Sequence, residues 1–332
     1  MHLRSPKPVL FCLLAAALTP MPGQAAEILH DHDASPFVGI FGLPDATEGG
    51  TVLDAGRSIS GFFVQGSSHS IAEETGDELI IQDGETTRFE LGYRRGFSGG
   101  WELGLELPYL MHESGGLDSV IEDWHDFFGL PNGARDELPR DNLLYRFERP
   151  GAATFNFDRN VNGIGDLRLY GGYRLKDEPG YRSAVRFSVK LPTGEAEDLL
   201  GSGGVDVSAG LAGDWSGLGE SGKWSAFYRL NLIYLGEPEY LSDIYNEFIG
   251  QASGGVSWQV AERVGLSVQA QVRSALYDAE VEPLGETSVM LTFGGDIRLS
   301  ESTSLVLAVG EDIKVDSAPD VSFQLALRYQ PR

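Results

Sequence analysis

The chain has 332 residues, 25 basic and 49 acidic side chains, a formal net charge of −24 and a single cysteine. So acidic a polypeptide, with no basic stripe along it, excludes nucleic acid as a partner. One cysteine excludes a disulfide framework and a thiolate metal centre.

The first element is a targeting segment. Arg4 and Lys7 precede an apolar run from Val9 to Leu18, and small residues lead to a cleavage point after Ala25 or Ala26. That run is about half of the roughly 20 residues that a membrane-spanning helix needs. Residues 1–25 therefore read as a secretory signal peptide, and Phe11 before Cys12 is too large for a lipoprotein site. Its removal takes Cys12 with it and lowers the basic count from 25 to 23 against 49 acids, a net charge of −26. The mature chain is expected to have no thiol chemistry and no lipid anchor.

Residues 26–56 are expected to form a periplasmic N-terminal segment. His30-Asp31-His32-Asp33 has the residue types of a metal site, but alternate positions of one mobile peptide make a poor preformed cage. A solvated tail without metal is the expectation.

From residue 57 the pattern has a period of two. Trp101, Leu103, Leu105, Leu107 and Tyr109 alternate with Glu102, Gly104, Glu106 and Pro108, a strand with one apolar face. Equally clear alternation covers 166–175, 181–191, 264–274 and 321–329. Weaker alternation covers 57–66, 87–95, 205–215, 224–234, 252–260, 287–299 and 303–313. Twelve strands result, an even number as a closed single-chain membrane barrel requires. Most have the length that crosses a bilayer when tilted, whereas strands of soluble proteins are usually shorter.

The connections alternate in length. On one side they span 20, 56, 13, 17, 12 and 7 residues, and on the other 5, 5, 8, 3 and 3. Long outer loops and short periplasmic turns produce that alternation, with both termini on the periplasmic side. Tyr93, Trp101, Tyr173, Tyr181, Trp215, Trp224, Trp258 and Tyr329 fall at the periplasmic strand ends, and Tyr109 and Tyr234 at the opposite ends. Such a girdle suits rings half buried at a membrane interface. The fold class is thus all-β: a transmembrane antiparallel up-and-down barrel over 57–329, sitting in outer-membrane lipid.

By parity, the polar face lines the lumen. The candidates are Arg182, Arg186 and Lys190, a local basic ladder, with Glu102, Glu106, Arg168, Arg229, Arg273, Arg298 and Arg328. They form either a narrow conduit whose basic ladder guides a small anionic solute or a mutually paired core that fills the barrel. A ring of twelve strands lies between filled barrels of eight and open channels of sixteen or more.

Histidines raise a hydrolytic alternative. Ser68-His69-Ser70 falls in the first outer loop, and His112-Glu113 and His125-Asp126 in the long outer loop over 110–165. Their spacing singles out no triad, so no catalytic residue is assigned. Leu191-Pro192-Thr193-Gly194 reads as a strand end turning into a loop. Gly201-Ser202-Gly203-Gly204 has no following helix to make a phosphate cradle, and no cofactor is implied.

The long loop breaks the β pattern. Leu117, Val120, Ile121, Trp124, Phe127 and Phe128 have helical spacing, and Ser119 with Glu122 forms a capping box. Pro131 and Asn132-Gly133 end the helix. It is expected to act as a lid over the barrel mouth, with Trp124, His125, Phe127, Phe128 and Arg135 as lid residues.

Several runs together resemble a known family. They are Glu102-Leu-Gly-Leu-Glu-Leu-Pro108, Glu122-Asp-Trp-His125-Asp-Phe127-Phe-Gly129-Leu-Pro131-Asn-Gly133-Ala-Arg135, Gly165-Asp166-Leu167, Lys190-Leu-Pro-Thr-Gly194, Gly201-Ser-Gly203 and the closing strand from Phe323 to Tyr329. The chain resembles the proteobacterial family known as domain of unknown function 3187. The resemblance implies a Gram-negative outer-membrane barrel inserted by the general barrel-assembly machinery. It implies no activity or ligand. Gln330-Pro331-Arg332 after Tyr329 departs from the terminal aromatic of assembly signals.

Overall fold

A strand that alternates apolar and polar side chains separates two environments, and a ring of such strands has one environment inside and one outside. In the computed structural model, which describes residues 28–45, 47–116, 123, 138–151, 154–313 and 321–331, the ring closes. Its wall strands are β1 (Ser58–Thr75), β2 (Glu78–Phe97), β3 (Trp101–Glu113), β7 (Leu167–Glu178), β8 (Tyr181–Leu191) and β9 (Asp206–Leu218), then β10 (Trp224–Tyr234), β11 (Phe248–Ala261), β12 (Val264–Arg273), β13 (Ser288–Arg298), β14 (Thr303–Asp312) and β15 (Val321–Tyr329). Each pairs antiparallel with the next, and β15 returns to β1, from Ser60 opposite Tyr329 to Ser68 opposite Val321. Closure leaves none of the twelve wall strands as a free edge for another chain to extend.

Three short strands belong to the long connection between β3 and β7, at the end of the barrel with the longer loops, its expected outer end. β4 (Leu144–Glu148) pairs with the outer part of β2, and β5 (Phe155–Phe157) pairs with β4, raising the wall locally. β6 (Val161–Ile164) continues the line of β7 along β3: Ile164 lies opposite Tyr109 and Tyr173 opposite Trp101. Gly165 and Asp166 are the break between them.

The outer face carries a belt of exposed apolar side chains, among them Leu91, Leu105, Leu169, Leu232, Leu266 and Leu307. A soluble protein does not carry a continuous belt of this kind, whereas a barrel in lipid requires it. Aromatic pairs mark its margins. Trp101 with Tyr173 (4.8 Å) and Trp224 with Trp258 (5.7 Å) lie at the end with the short turns, and Tyr234 with Phe248 (5.5 Å) at the other.

Three expectations meet a different structure. The first outer loop, expected over 67–86, is mostly strand: β1 and β2 run on to a turn at Gly76-Asp77, so His69 is a wall residue. Likewise β3 runs to Glu113 and takes His112 into the wall. Past the lipid belt a strand needs no apolar outer face, so Ser67 to Ser70 are buried without any two-residue alternation. Apart from Asp123, which is helical, the expected helix over 119–128, with Trp124, His125, Phe127, Phe128 and Arg135, lies outside the described residues. The other described helical turns are a 3₁₀ turn at Ala196–Asp198 and a short helix at Glu282–Gly285.

The third difference is the largest. Residues 28–45 and 47–54 are not a solvated periplasmic tail; they enter the barrel, reach its outer end and return. Their five acids and lack of any lysine or arginine read as a tail by composition. The lumen supplies the counter-charges that the segment itself lacks.

Candidate functional site: the plugged lumen

The hairpin has two limbs and an apex. A buried main chain must find hydrogen-bond partners, and the rising limb finds them in side chains of β12. Gln269 accepts from the Leu29 amide at 3.0 Å and donates to the Leu29 carbonyl at 2.9 Å. Two residues on, Gln271 donates to the Asp31 carbonyl at 3.0 Å, and two further on Arg273 donates to the Asp33 carboxylate at 3.0 Å. The match in steps of two arises because alternate residues of β12 face inward. Gln65 on β1 also donates to the His32 carbonyl at 3.0 Å.

At the apex the chain turns through Val38 and Gly39, whose amides donate to the Ser35 carbonyl. Phe37 and Phe41 pack with Tyr145, Phe157, Leu235 and Tyr277 in an apolar cluster that closes the outer mouth. The Tyr277 hydroxyl, on the connection after β12, donates to the Phe37 carbonyl at 2.7 Å. Burial pushes the Tyr277 and Tyr145 phenols well above their ordinary range.

The returning limb runs along β7 to β10. Lys190 on β8 donates to the Ile40 carbonyl at 3.1 Å and Asp206 on β9 accepts from the Gly42 amide at 2.8 Å. Arg229 on β10 binds the Asp45 carbonyl, and Arg186 reaches the carbonyls of Gly49 (2.8 Å) and Thr51 (2.6 Å). Glu48 receives two guanidiniums, Arg168 at 2.7 Å and Arg229 at 3.4 Å. Approach to the wall is close enough that a Cβ on Gly50 would stand 2.5 Å from the Arg182 carbonyl oxygen and 2.7 Å from the Gly213 Cα. Between the limbs, His30 Nδ1 meets Asp45 at 2.6 Å, and the second Asp45 oxygen accepts from the Asp31 amide at 3.1 Å.

The candidate lumen residues separate by what faces them. Arg186 pairs with Glu102, Arg168 donates to Glu106 at 2.7 Å, and Lys190 lies between Asp166 (2.7 Å) and Asp206 (3.0 Å). These cations have carboxylate partners on the wall itself. Arg273 meets its carboxylate, Asp33, only on the hairpin. The same holds for Arg229 with Glu48. Arg328 donates to the Ile28 carbonyl at 3.0 Å. Arg182 does not join the others: its guanidinium is half exposed at the short-turn end, 3.0 Å from Asp177. Arg298 ends β13 at that same rim. Two small cavities flank the hairpin, about 70 Å³ beside His30, Glu48 and Arg94 and about 30 Å³ beside His32, Arg88 and Arg168.

The histidines come together in a way their sequence spacing does not show. His112 Nε2 donates to the Leu199 carbonyl at 3.1 Å, which leaves its Nδ1 to accept from the Thr86 hydroxyl at 3.1 Å. That hydroxyl accepts in turn from His69 Nε2 at 3.2 Å. Both rings are buried and neither cavity touches them. The inward parity of β1, β2 and β3 was the signal that places them on one wall, once those strands are extended to their true ends.

Fold and site together define an outer-membrane-type β-barrel of twelve strands whose lumen holds its own N-terminal hairpin. The chain belongs to the family described as "Protein of unknown function (DUF3187)", whose model matches residues 9–330. The fold is similar to that of an outer membrane channel from Pseudomonas putida F1, with 16% sequence identity, 87% of this chain and 98% of that chain covered, and a TM-score of 0.54. The NanC porin (8% identity, 82% and 98% covered, TM-score 0.46) and the KdgM porin (8%, 83% and 99%, TM-score 0.43) also align. The comparison with curated proteins gives no match.

Proposed function

We propose that the protein is a gated outer-membrane barrel that passes or binds a small solute, with the N-terminal hairpin as its gate. One observation carries this reading: the hairpin fills the lumen without being a strand of the wall. Its main chain is held by side chains such as Gln269, Gln271, Gln65 and Arg186, and bridging to the wall ladder begins only at Ala55, opposite Gly96. A segment held in this way can leave while all twelve strands stay paired. The exposed apolar belt supports residence in outer-membrane lipid, and the family membership supports insertion by the barrel-assembly machinery. Residues 119–128 are proposed as a second lid over the apolar mouth.

Planar-bilayer recording tests the gate. The wild-type chain should be closed for most of the time, and Gly50→Val, whose side chain has no room against the wall, should conduct. Equal silence from both, with protease cleavage proving the variant's hairpin displaced, would remove the passage reading. The apolar cluster over the mouth favours a second reading, a sealed structural barrel, which expects that silence. The hydrolase alternative gains nothing from His69 and His112, which are buried and bonded to one another through Thr86.

A further inference from the structure

The hairpin occupies the lumen as a ligand would, and its chemistry describes what replaces it. Residues 28–54 contain Asp31, Asp33, Asp45, Glu48 and Asp54 and no lysine or arginine. Two of these carboxylates seat on buried guanidiniums. Glu48 takes Arg168 and Arg229, and Asp33 takes Arg273.

The wall does not neutralise these positions equally. Arg186 and Lys190, the ladder that alternation brings forward, keep Glu102, Asp166 and Asp206 whether the hairpin is present or not. Arg229 and Arg273, with side chains 1% and 3% exposed, meet no wall carboxylate among the described residues. Moreover, Arg168 Nη1 and Arg273 Nε are buried N–H groups with no acceptor, so the hairpin leaves donor capacity at both seats unused. A buried guanidinium deprived of its only carboxylate is costly. The vacated lumen therefore presents positive charge that no wall carboxylate among the described residues offsets, and it favours anions with the bidentate oxygen geometry that suits guanidinium groups.

We propose that the lumen is a binding site for small carboxylated anions, with Arg168 and Arg229 forming one carboxylate seat and Arg273 another, and that Glu48 and Asp33 occupy those seats in the closed barrel. The site rests on the gated-barrel reading, which makes the lumen available. It goes beyond that reading by naming the solute class and placing recognition away from the Arg186 and Lys190 ladder. Binding and opening are then linked, because a solute that takes the seats competes with the hairpin.

The test uses the full-length chain and citrate as the probe, at matched ionic strength against chloride. Detergent-solubilised Gly50→Val should show a citrate-dependent rise in unfolding temperature, and Arg229→Gln with Arg273→Gln in that background should weaken apparent citrate affinity by roughly tenfold or more. If the double variant does not fold, Arg229→Lys and Arg273→Lys, which keep the charge and lose the fork, should each weaken it by a smaller factor. In bilayers the Gly50→Val current should favour chloride over potassium, and citrate should block it. Absence of a thermal shift, or one that survives both arginine substitutions unchanged, overturns the carboxylate site whether or not the barrel conducts. A shift without conductance leaves the site standing and removes the passage.

Discussion

Gln269 closes two hydrogen bonds on the main chain of Leu29, accepting at 3.0 Å and donating at 2.9 Å, so that one side-chain amide replaces a neighbouring strand for a residue inside the barrel. Substitution by leucine removes both partners and leaves a buried peptide amide and carbonyl without them. At about 1 kcal/mol per lost bond plus the desolvation left behind, Gln269→Leu should weaken docking of the rising limb by about 2–4 kcal/mol. Amide exchange at residues 28–33 is expected to accelerate by roughly thirtyfold or more. Unchanged protection would show that the limb is held elsewhere.

Close approach of the returning limb gives a steric prediction with an internal control. A Cβ on Gly42 would lie 2.5 Å from the Lys190 Cβ, whereas one on Gly61 would have nothing within 4 Å. Gly42→Ala should lower stability by about 1–3 kcal/mol, the usual cost of overpacking. Gly61→Ala should stay within about 0.5 kcal/mol of wild type. Thermal unfolding in detergent compares them directly, and equal midpoints for the two variants would contradict the packing.

Tyr145 and Tyr277, both on outer elements beyond the lipid belt, have phenols raised by burial above the ordinary value near 10. The sign follows from linkage: a phenol that ionises only at higher pH in the folded state costs no stability below pH 10, and above it ionisation favours the unfolded chain. Ultraviolet titration of the folded barrel should leave Tyr145 and Tyr277 among the tyrosines still un-ionised at pH 11, and stability should decline as pH rises above 10. Tyr277→Phe together with Tyr145→Phe should flatten that decline. An unaltered decline would place its cause elsewhere.

The lipid-facing belt is tested at Leu105, exposed on the outer face of β3. An arginine near the middle of such a face costs about 2–4 kcal/mol in a membrane barrel. Leu105→Arg should therefore reduce the heat-modifiable folded fraction in vesicles, while the same substitution in a water-facing wall would be nearly neutral. Folding yields equal to wild type would contradict the assignment of that face to lipid.

The fold was legible wherever lipid demanded it. Alternation at Trp101 to Tyr109 and Val321 to Tyr329 marks strands that the structure contains, because one face of each must be apolar and the other need not be. Legibility failed where that demand stops. Ser67 to Thr75 continue β1 past the belt without an apolar face, so the sequence there looks like a loop. The hairpin failed for a different reason: His30-Asp31-His32-Asp33 has the composition of a solvated tail, and its partners Gln269, Gln271 and Arg273 stand 240 residues away.

The sequence by itself determined the number of wall strands, their inward and outward faces and the family, since each is a local or periodic property of the chain. Only the tertiary structure decided what the inward charges do. Parity places Arg186 and Arg229 on the same inner surface, but which carboxylate each one meets depends on distance in three dimensions, and Coulombic pairing falls off with distance rather than with sequence separation. That is why Arg186 has its carboxylate, Glu102, on the wall and Arg229 has Glu48, on a segment that the wall only encloses.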